Sequence, residues 1–341
     1  MINDEKQIYP KEVKETLKKE KDYFLNPDGS KHYVEPPTEI KDRLKKERKS
    51  KNIDELSESL GVGHHVVRAA IDDLHEEGYG IKQEGDIMIR SKVGEERDIY
   101  DASKLIGKHF KFGVVSDIHL GSKKERLDEF NLMYDKFQSE GIKVVFNSGD
   151  ITEGVNVYRG QEYETHKFGQ QEQIEYAIEK YPKRKGIKTL FITGNHDLRE
   201  YERGGVDVGV SIAKNRGDME YLGQEIARVR LPNGAEAELL HPKGGSAYAL
   251  SYKSQKFINN LNPEDIPEMM MWGHYHTSFY MHYRNVHFLQ VPCFKGAGRW
   301  EKTMGLNPTI GGWVVEGKIS DQGRVDQFKP ELFRFQGAEK R

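Results

Sequence analysis

The chain has 341 residues, a net charge of −2 and 36% hydrophobic residues, a polar globular composition with room for two domains. No apolar run approaches the roughly 20 residues that cross a bilayer, and the charged N-terminus lacks a signal-peptide core, so we expect a cytoplasmic protein without a membrane span. The single cysteine, Cys293, excludes an internal disulfide and a thiolate metal site, so His, Asp and Asn must hold any metal.

The first 37 residues predict an irregular or partly helical arm, and residues 38–92 predict a separate small domain. After a basic helix come an amphipathic helix at 53–60, a glycine-rich turn and a second helix that stops at Gly78. Two short alternating segments at 80–83 and 86–90 then predict a hairpin. This order resembles the winged helix-turn-helix domains of DNA-binding regulators.

The resemblance implies a recognition helix from about Gly63 to Glu77, followed by a wing. The implied DNA contacts are His64, His65 and Arg68 on the helix and Lys82 and Arg90 on the wing. The acidic far end of the helix would repel phosphate, so a protein-docking or dimerisation module is the alternative. A polar linker is predicted at residues 93–103.

From residue 104 onward, apolar strands alternate with helices, which predicts an α/β fold with a buried, partly parallel sheet. The expected strands are residues 112–115, 144–146 and 190–192, and the expected helices are 125–140 and 170–181. The loops at the carboxyl ends of such strands are where these folds bind ligands. The long connection at 151–168 is a further candidate functional loop.

Five short motifs, each after an apolar strand, carry the residue types that bind metals. In chain order they are Asp117-Ile118-His119, Gly149-Asp150, Gly194-Asn195-His196-Asp197, His241-Pro242 and Gly273-His274-Tyr275-His276. One such motif would be weak evidence, since a histidine near an apolar strand is more often a hydrogen-bonded core residue. The ordered set of five favours a metal centre.

Over residues 111–294 the chain closely resembles the calcineurin-like metallophosphoesterases. The resemblance implies a β-sandwich flanked by helices, with two divalent metals between the sheets. The implied ligands are Asp117, His119 and His276 for one metal, Asn195, His241 and His274 for the other, and Asp150 as a bridge. Oxygen and imidazole ligands suit Mn²⁺, which we expect, with Fe, Zn²⁺, Ni²⁺ or Mg²⁺ as alternatives. Two such ions activate water and clamp phosphate oxygens.

His196 is not needed as a ligand in this scheme, so we expect it to act as a general acid or to bind phosphate near the leaving oxygen. The alternative is a histidine that only supports Asn195. Asp197 or another carboxylate would orient the His196 ring, unless Asp197 instead caps the following helix.

The Asp-x-His-Leu-Gly motif and the DNA-binding-like domain together resemble nucleases of the SbcD type, so the expected function is a DNA phosphodiesterase guided by the winged helix. Three residues after the bridging aspartate, Glu153 replaces the histidine of the eukaryotic relatives. The short C-terminal region predicts no coiled-coil ATPase partner, and nothing indicates an oligomeric state.

Two other functions stay open from the sequence. One is a nucleotide, RNA or phosphoprotein phosphoesterase with a docking N-terminal domain, and the other is a non-catalytic metal-containing binding protein. Basic residues follow several motifs and would hold a phosphate backbone or only face solvent. They are Lys123, Lys124, Arg126, Arg199, Arg203, Lys295 and Arg299.

Overall fold

The computed structural model describes residues 23–25, 31–33, 38–45, 52–76, 79–84, 86–92, 99–203 and 205–335. The chain divides into two compact units, Met1–Arg97 and Asp98–Arg341. Among the described residues, no helix is both long enough and apolar enough to cross a membrane.

The first unit contains helices and short strands around a small apolar core. Its elements are β1 (Tyr23–Leu25), β2 (Lys31–Tyr33), α1 (Thr38–Lys45), α2 (Ile53–Leu60), α3 (His64–Glu76), β3 (Tyr79–Glu84) and β4 (Asp86–Lys92). A capping box between Asn52 and Glu55 starts α2, and Gly61, with a φ of 69°, ends it. Buried Leu56 and Val67 join α2 to α3.

The described helices and the β3–β4 pair follow the order predicted from sequence. The arm differs from its prediction, because its described residues form the antiparallel pair β1–β2 rather than irregular or helical structure. The turn-forming sequence at 26–29 separates two runs that contain the strand-forming residues Tyr23, Phe24 and Tyr33. That the unit is a DNA-binding winged helix stays a prediction.

The second unit contains two six-stranded sheets and flanking helices. Its strands are β5 (Tyr100–Asp101), β6 (His109–Val115), β7 (Val144–Asn147), β8 (Lys188–Thr193), β9 (Met219–Gln224), β10 (Ile226–Arg230), β11 (Glu236–Leu240), β12 (Met269–Trp272), β13 (Phe279–Tyr283), β14 (Val286–Gln290), β15 (Gly311–Ile319) and β16 (Val325–Arg334). Its α-helices are α4 (Leu127–Ser139), α5 (Gln170–Lys180), α6 (Asn195–Leu198), α7 (Val208–Asn215), α8 (Tyr252–Asn260) and α9 (Arg299–Thr303). Short 3₁₀ turns occur at Gln161–Tyr163, Tyr201–Arg203, Pro232–Gly234 and Pro263–Asp265.

The two sheets pack face to face, which confirms the predicted sandwich. The first has the order β16-β15-β6-β7-β8-β9, and its strands β6 to β9 run parallel. The second has the order β13-β14-β12-β11-β10-β5, in which β11, β12 and β14 run parallel. Side chains from both sheets, including Val114 and Phe146 from the first and Leu239 and Met271 from the second, form one buried cluster.

Helices cover the outer faces of the sandwich. Phe130 of α4 and Ile174 of α5 pack with Val145 on the first sheet. Ile258 of α8 packs with Trp272 on the second sheet. The predicted helices and parallel strands are therefore confirmed, and the parallel strands of both sheets deliver their carboxyl ends to loops that carry the motifs.

The linker predicted at residues 93–103 is wrong at its C-terminal end. Tyr100 and Asp101 pair in parallel with β10, and Ala102 is fully buried in the sandwich core. A strand of two residues gives no alternating pattern that sequence reasoning can detect.

Candidate metal centre

The five motifs lie directly after five strands of the sandwich, three in the first sheet and two in the second. In the first sheet, β6, β7 and β8 end just before Asp117, Asp150 and Asn195. In the second, β11 ends before His241 and β12 ends before His274. The fold therefore brings residues far apart in sequence to one edge of the sandwich.

Asp117, His119 and His276 form one group of potential ligands. Their donor atoms lie within 4.8 Å of one another, and Asp117 and His119 are buried. His276 Nε2 is 3.3 Å from Asp117 Oδ1 and 3.1 Å from His119 Nε2. Two imidazole nitrogens that face each other beside a carboxylate suit a cation bound among them.

Asp150, His241 and His274 form a second group with donor atoms within 4.8 Å. His241 Nε2 lies 3.1 Å from Asp150 Oδ2 and 3.1 Å from Asn195 Oδ1. His241 Nδ1 donates to the Ser148 carbonyl at 2.8 Å, which leaves Nε2 as the nitrogen that faces the group. Burial opposes the charged form, but Asp150 outweighs it and raises the pKa of His241 to about 9, so the group attracts positive charge.

Asp150 belongs to the second group and also faces the first. Its Oδ2 atom is 3.1 Å from His241 Nε2 in the second group and 3.7 Å from His119 Nε2 in the first. Its Oδ1 atom accepts from the His196 amide at 2.9 Å. Asp150 is therefore placed to face both positions, as a bridging ligand requires.

The backbone is strained at the same residues. Asp117, His119, Asp150, His274 and His276 have φ values of 53°, 53°, 52°, 78° and 52°. Left-handed conformations are uncommon for residues other than glycine, cost about 1–3 kcal/mol each and gather at functional sites. Five of the ten such residues in the described part of the chain belong to these two groups.

His196 lies beside the groups, with its ring 4.5 Å from the His119 ring. Its Nδ1 atom donates to the Glu153 carbonyl at 2.6 Å, which leaves Nε2 as the free ring nitrogen. Burial lowers the pKa of His196 to about 4, so its neutral form dominates at neutral pH. A general-acid role therefore requires the negative charge of a bound phosphoester to raise this pKa.

The expectation that Asp197 orients His196 is wrong. The buried Asp197 carboxylate accepts from Thr152 N and Oγ1 at 2.8 Å, Ile151 N at 3.1 Å and Gly194 N at 3.0 Å. The bond to Gly194 caps α6, which is the alternative considered from sequence. Asp197 therefore ties two motif loops together, and the Glu153 carbonyl orients His196.

Glu153 and Lys295 form a buried pair that motif reasoning missed. Glu153 Oε2 lies 3.1 Å from His119 Nδ1, although their alignment falls short of a hydrogen bond, and 3.2 Å from Lys295 Nζ. Lys295 is only 2% exposed and also lies 3.4 Å from Glu301. Because Glu153 and Lys295 are 142 residues apart, no local spacing reveals the pair.

A cavity of about 360 Å³ opens over the metal centre. Its lining includes Asp150, His196, His276, Tyr158 and Lys295. A substrate in this cavity would therefore meet the potential ligands, a neutral imidazole and a buried ammonium group together.

The five predicted DNA contacts all lie in the first unit. His64 and Arg68 are exposed on α3, and His64 Nε2 lies 3.0 Å from Asp54. The side chains of His65, Lys82 and Arg90 lie outside what the structure describes. The role of all five in binding DNA stays a prediction.

The other basic residues fall into two sets. Ion pairs join Arg126 to Glu129, Arg199 to Glu202 and Arg203 to Glu200. Lys123, Lys124 and Arg299 instead line a cavity of about 610 Å³ together with Lys302 and one acid, Glu164. Because cations outnumber acids around this cavity, it suits the binding of a phosphate backbone.

Curated relatives of this chain include two archaeal proteins named DNA polymerase II small subunit. The one from Thermoplasma acidophilum is 23% identical over 232 residues, covering 57% of this chain and 47% of the relative. The one from Archaeoglobus fulgidus is 26% identical over 276 residues, covering 67% and 53%. The chain thus spans about half the length of the curated relatives it matches.

Solved structures with a similar arrangement include one titled as a novel archaeal phosphodiesterase, with a TM-score of 0.38, 12% identity and coverage of 66% of this chain and 100% of that one. Vps29 from Entamoeba histolytica in complex with Zn²⁺ has a TM-score of 0.32, 12% identity and coverage of 67% and 100%.

The profile of the calcineurin-like phosphoesterases matches residues 110–292, which contain all five motifs. The chain therefore belongs to the calcineurin-like phosphoesterase family.

Proposed function

We propose that this protein is a dinuclear phosphodiesterase that cleaves DNA. The proposed ligands are Asp117, His119 and His276 for one ion, Asn195, His241 and His274 for the other, and Asp150 for both. The observation that carries the proposal is that Asp150 belongs to the second donor group and also faces the first. Divalent ions, Mn²⁺ above all, would supply Lewis acidity and activated water at this site.

Residues around the ligands supply binding and proton transfer. Lys295 lines the cavity over the centre and would hold a non-bridging phosphate oxygen. His196 would donate a proton to the leaving oxygen once the phosphoester charge has raised its pKa above about 4. Glu153 holds both residues in place, through its side chain for Lys295 and its carbonyl for His196.

Two observations support DNA as the substrate. The cation-rich cavity around Lys123, Lys124 and Arg299 suits a phosphate backbone. The curated relatives are named as DNA polymerase subunits. In this proposal the N-terminal unit binds the duplex, with His64, His65, Arg68, Lys82 and Arg90 as contacts.

A second candidate is a phosphoesterase for nucleotides, RNA or phosphoproteins whose N-terminal unit docks on a protein. The contact between His64 and Asp54 favours it, because an acid 3.0 Å from the proposed recognition residue would repel DNA phosphate. The word "subunit" in the relatives' names also favours a protein partner.

A substrate panel tests the proposal. With Mn²⁺ we expect hydrolysis of bis(p-nitrophenyl) phosphate, single-stranded DNA and plasmid, and slower hydrolysis of p-nitrophenyl phosphate and thymidine monophosphate. EDTA should abolish every rate. Hydrolysis of monoesters alone would support the second candidate, and no metal-dependent hydrolysis of any ester would refute both.

A further inference from the structure

A second cleft, of about 530 Å³, lies beside the metal centre on the outer face of the second sheet. Its floor is a row of paired residues on three neighbouring strands, Ile226, Leu240 and Trp272. Helix α8 forms one wall with Tyr252, Lys253, Lys256 and Phe257. The proposed metal ligands and the hydrogen bonds around them do not explain why an apolar cleft lies here.

Trp272, in the floor of the cleft, has an indole N–H without a hydrogen-bond acceptor among the described residues. Trp272 is 2% exposed, and its Nε1 atom has no hydrogen-bond partner in the described part of the chain. Phe257 packs against the Trp272 ring edge to face at 5.2 Å. A buried donor without an acceptor is rare in folded proteins, and this one belongs to a residue that lines a flat, apolar cleft.

Other aromatic rings and cations also line the cleft. Tyr252 is 56% exposed, and Tyr275 lines both this cleft and the cavity over the candidate metal centre. Lys253 Nζ lies 5.5 Å from the centre of the Tyr275 ring. Lys243 is paired with Glu225 at 3.0 Å, whereas exposed Lys256 has no acidic partner among the described residues.

This combination fits one class of ligand. Nucleobases stack on aromatic side chains and present carbonyl or ring-nitrogen acceptors, while their phosphates bind lysine. His241, a proposed metal ligand, also lines the cleft, so the cleft adjoins the candidate metal centre. We propose that it binds a nucleobase of a single strand whose neighbouring phosphate lies at the metal centre, an inference that rests on the proposed phosphodiesterase function.

Binding of two nuclease-resistant probes to the full-length protein tests the inference. One is a fluorescein-labelled phosphorothioate 12-mer of thymidine, and the other is the same backbone without bases. We expect the thymidine strand to bind about tenfold or more tightly by fluorescence anisotropy, which is the usual contribution of a stacked base. Combined Tyr252→Ala and Lys256→Ala substitutions should remove that preference. Trp272→Phe, which keeps a ring and removes the donor, should reduce it.

The control combines Tyr280→Ala with Lys183→Ala, two exposed positions that do not line the cleft. It should keep the base preference. Equal binding of the two probes by the wild type, or an unchanged preference in the Tyr252 and Lys256 variant, would overturn the inference. Hydrolysis of bis(p-nitrophenyl) phosphate, which has no nucleobase, reports separately on the proposed phosphodiesterase activity. Each of the two proposals can therefore be refuted independently of the other.

Discussion

Glu153 is a buried acid beside His119 and Lys295, outside the proposed ligand set. Removing the charge with Glu153→Gln should loosen both neighbours without removing any proposed ligand side chain. We expect Mn²⁺ affinity or turnover to fall about 10- to 100-fold, the usual effect of losing a partner behind a metal-binding histidine. Calorimetric titration with Mn²⁺ and rates on bis(p-nitrophenyl) phosphate measure the two effects. Glu162→Gln, an exposed acid in the same loop, is the control, and equal behaviour of both variants would contradict this role.

His196→Ala tests proton donation. The variant should still bind Mn²⁺, because His196 is not a proposed ligand, and should lose about 10²- to 10⁴-fold in rate. The loss should be smaller for esters with good leaving groups, since those need no proton. Rates on p-nitrophenyl and alkyl diesters measure the difference. Equal losses on both would instead indicate that His196 binds phosphate or supports Asn195.

At the scale of single residues, the sequence predicted which side chains meet at the metal centre. It did not predict the contacts that hold those side chains in place. The seven proposed ligands follow apolar strands, whose carboxyl ends are where α/β folds bind ligands, and the resemblance to the calcineurin-like family implied how they are grouped. Contacts such as Glu153 to Lys295 join segments 142 residues apart, and only the folded chain reveals them. The same reason explains Asp197, whose bonds to Thr152 depend on how two loops approach each other.

At the scale of elements, the turn after β7 positions Asp150. Gly149 has a φ of 99°, and a methyl group there would lie 2.6 Å from His241 Nδ1. Gly186 has a φ of 84° but open space around it. Alanine at either position should cost about 1–2 kcal/mol in free energy of unfolding from backbone strain.

Only Gly149→Ala should also weaken Mn²⁺ binding, because it crowds a proposed ligand. Chemical denaturation and Mn²⁺ titration of the two variants separate strain from crowding. Unaltered metal affinity in Gly149→Ala would show that this turn does not set the geometry of the centre.

Element prediction from sequence succeeded where strands are apolar and continuous, as for β7 and β8. Prediction failed for β5, because a strand of two residues is too short to show an alternating pattern. The left-handed backbone at Asp117 and His276 also has no sequence signature, since neither residue is glycine.

At the scale of the whole molecule, the division after Arg97 predicts separable functions. A protein that begins at Asp98 should keep its rate on bis(p-nitrophenyl) phosphate, because the metal centre and β5 lie within the second unit. If the first unit binds DNA, the truncation should weaken duplex binding and flatten its dependence on salt, since fewer phosphate contacts release fewer counterions. Arg68→Ala in the full chain should act in the same direction. Unchanged affinity and salt dependence in both proteins would favour the docking alternative.

The most direct test of the two-metal account is the turnover of Asp150→Asn on bis(p-nitrophenyl) phosphate with Mn²⁺, alongside circular dichroism. Asp150 faces both donor groups, so its loss should abolish turnover while the apolar sandwich keeps the fold. His274→Ala should behave alike, and Asp135→Asn, at a half-exposed surface acid, should match the wild type. A folded Asp150→Asn protein that turns over at nearly the wild-type rate would contradict the account.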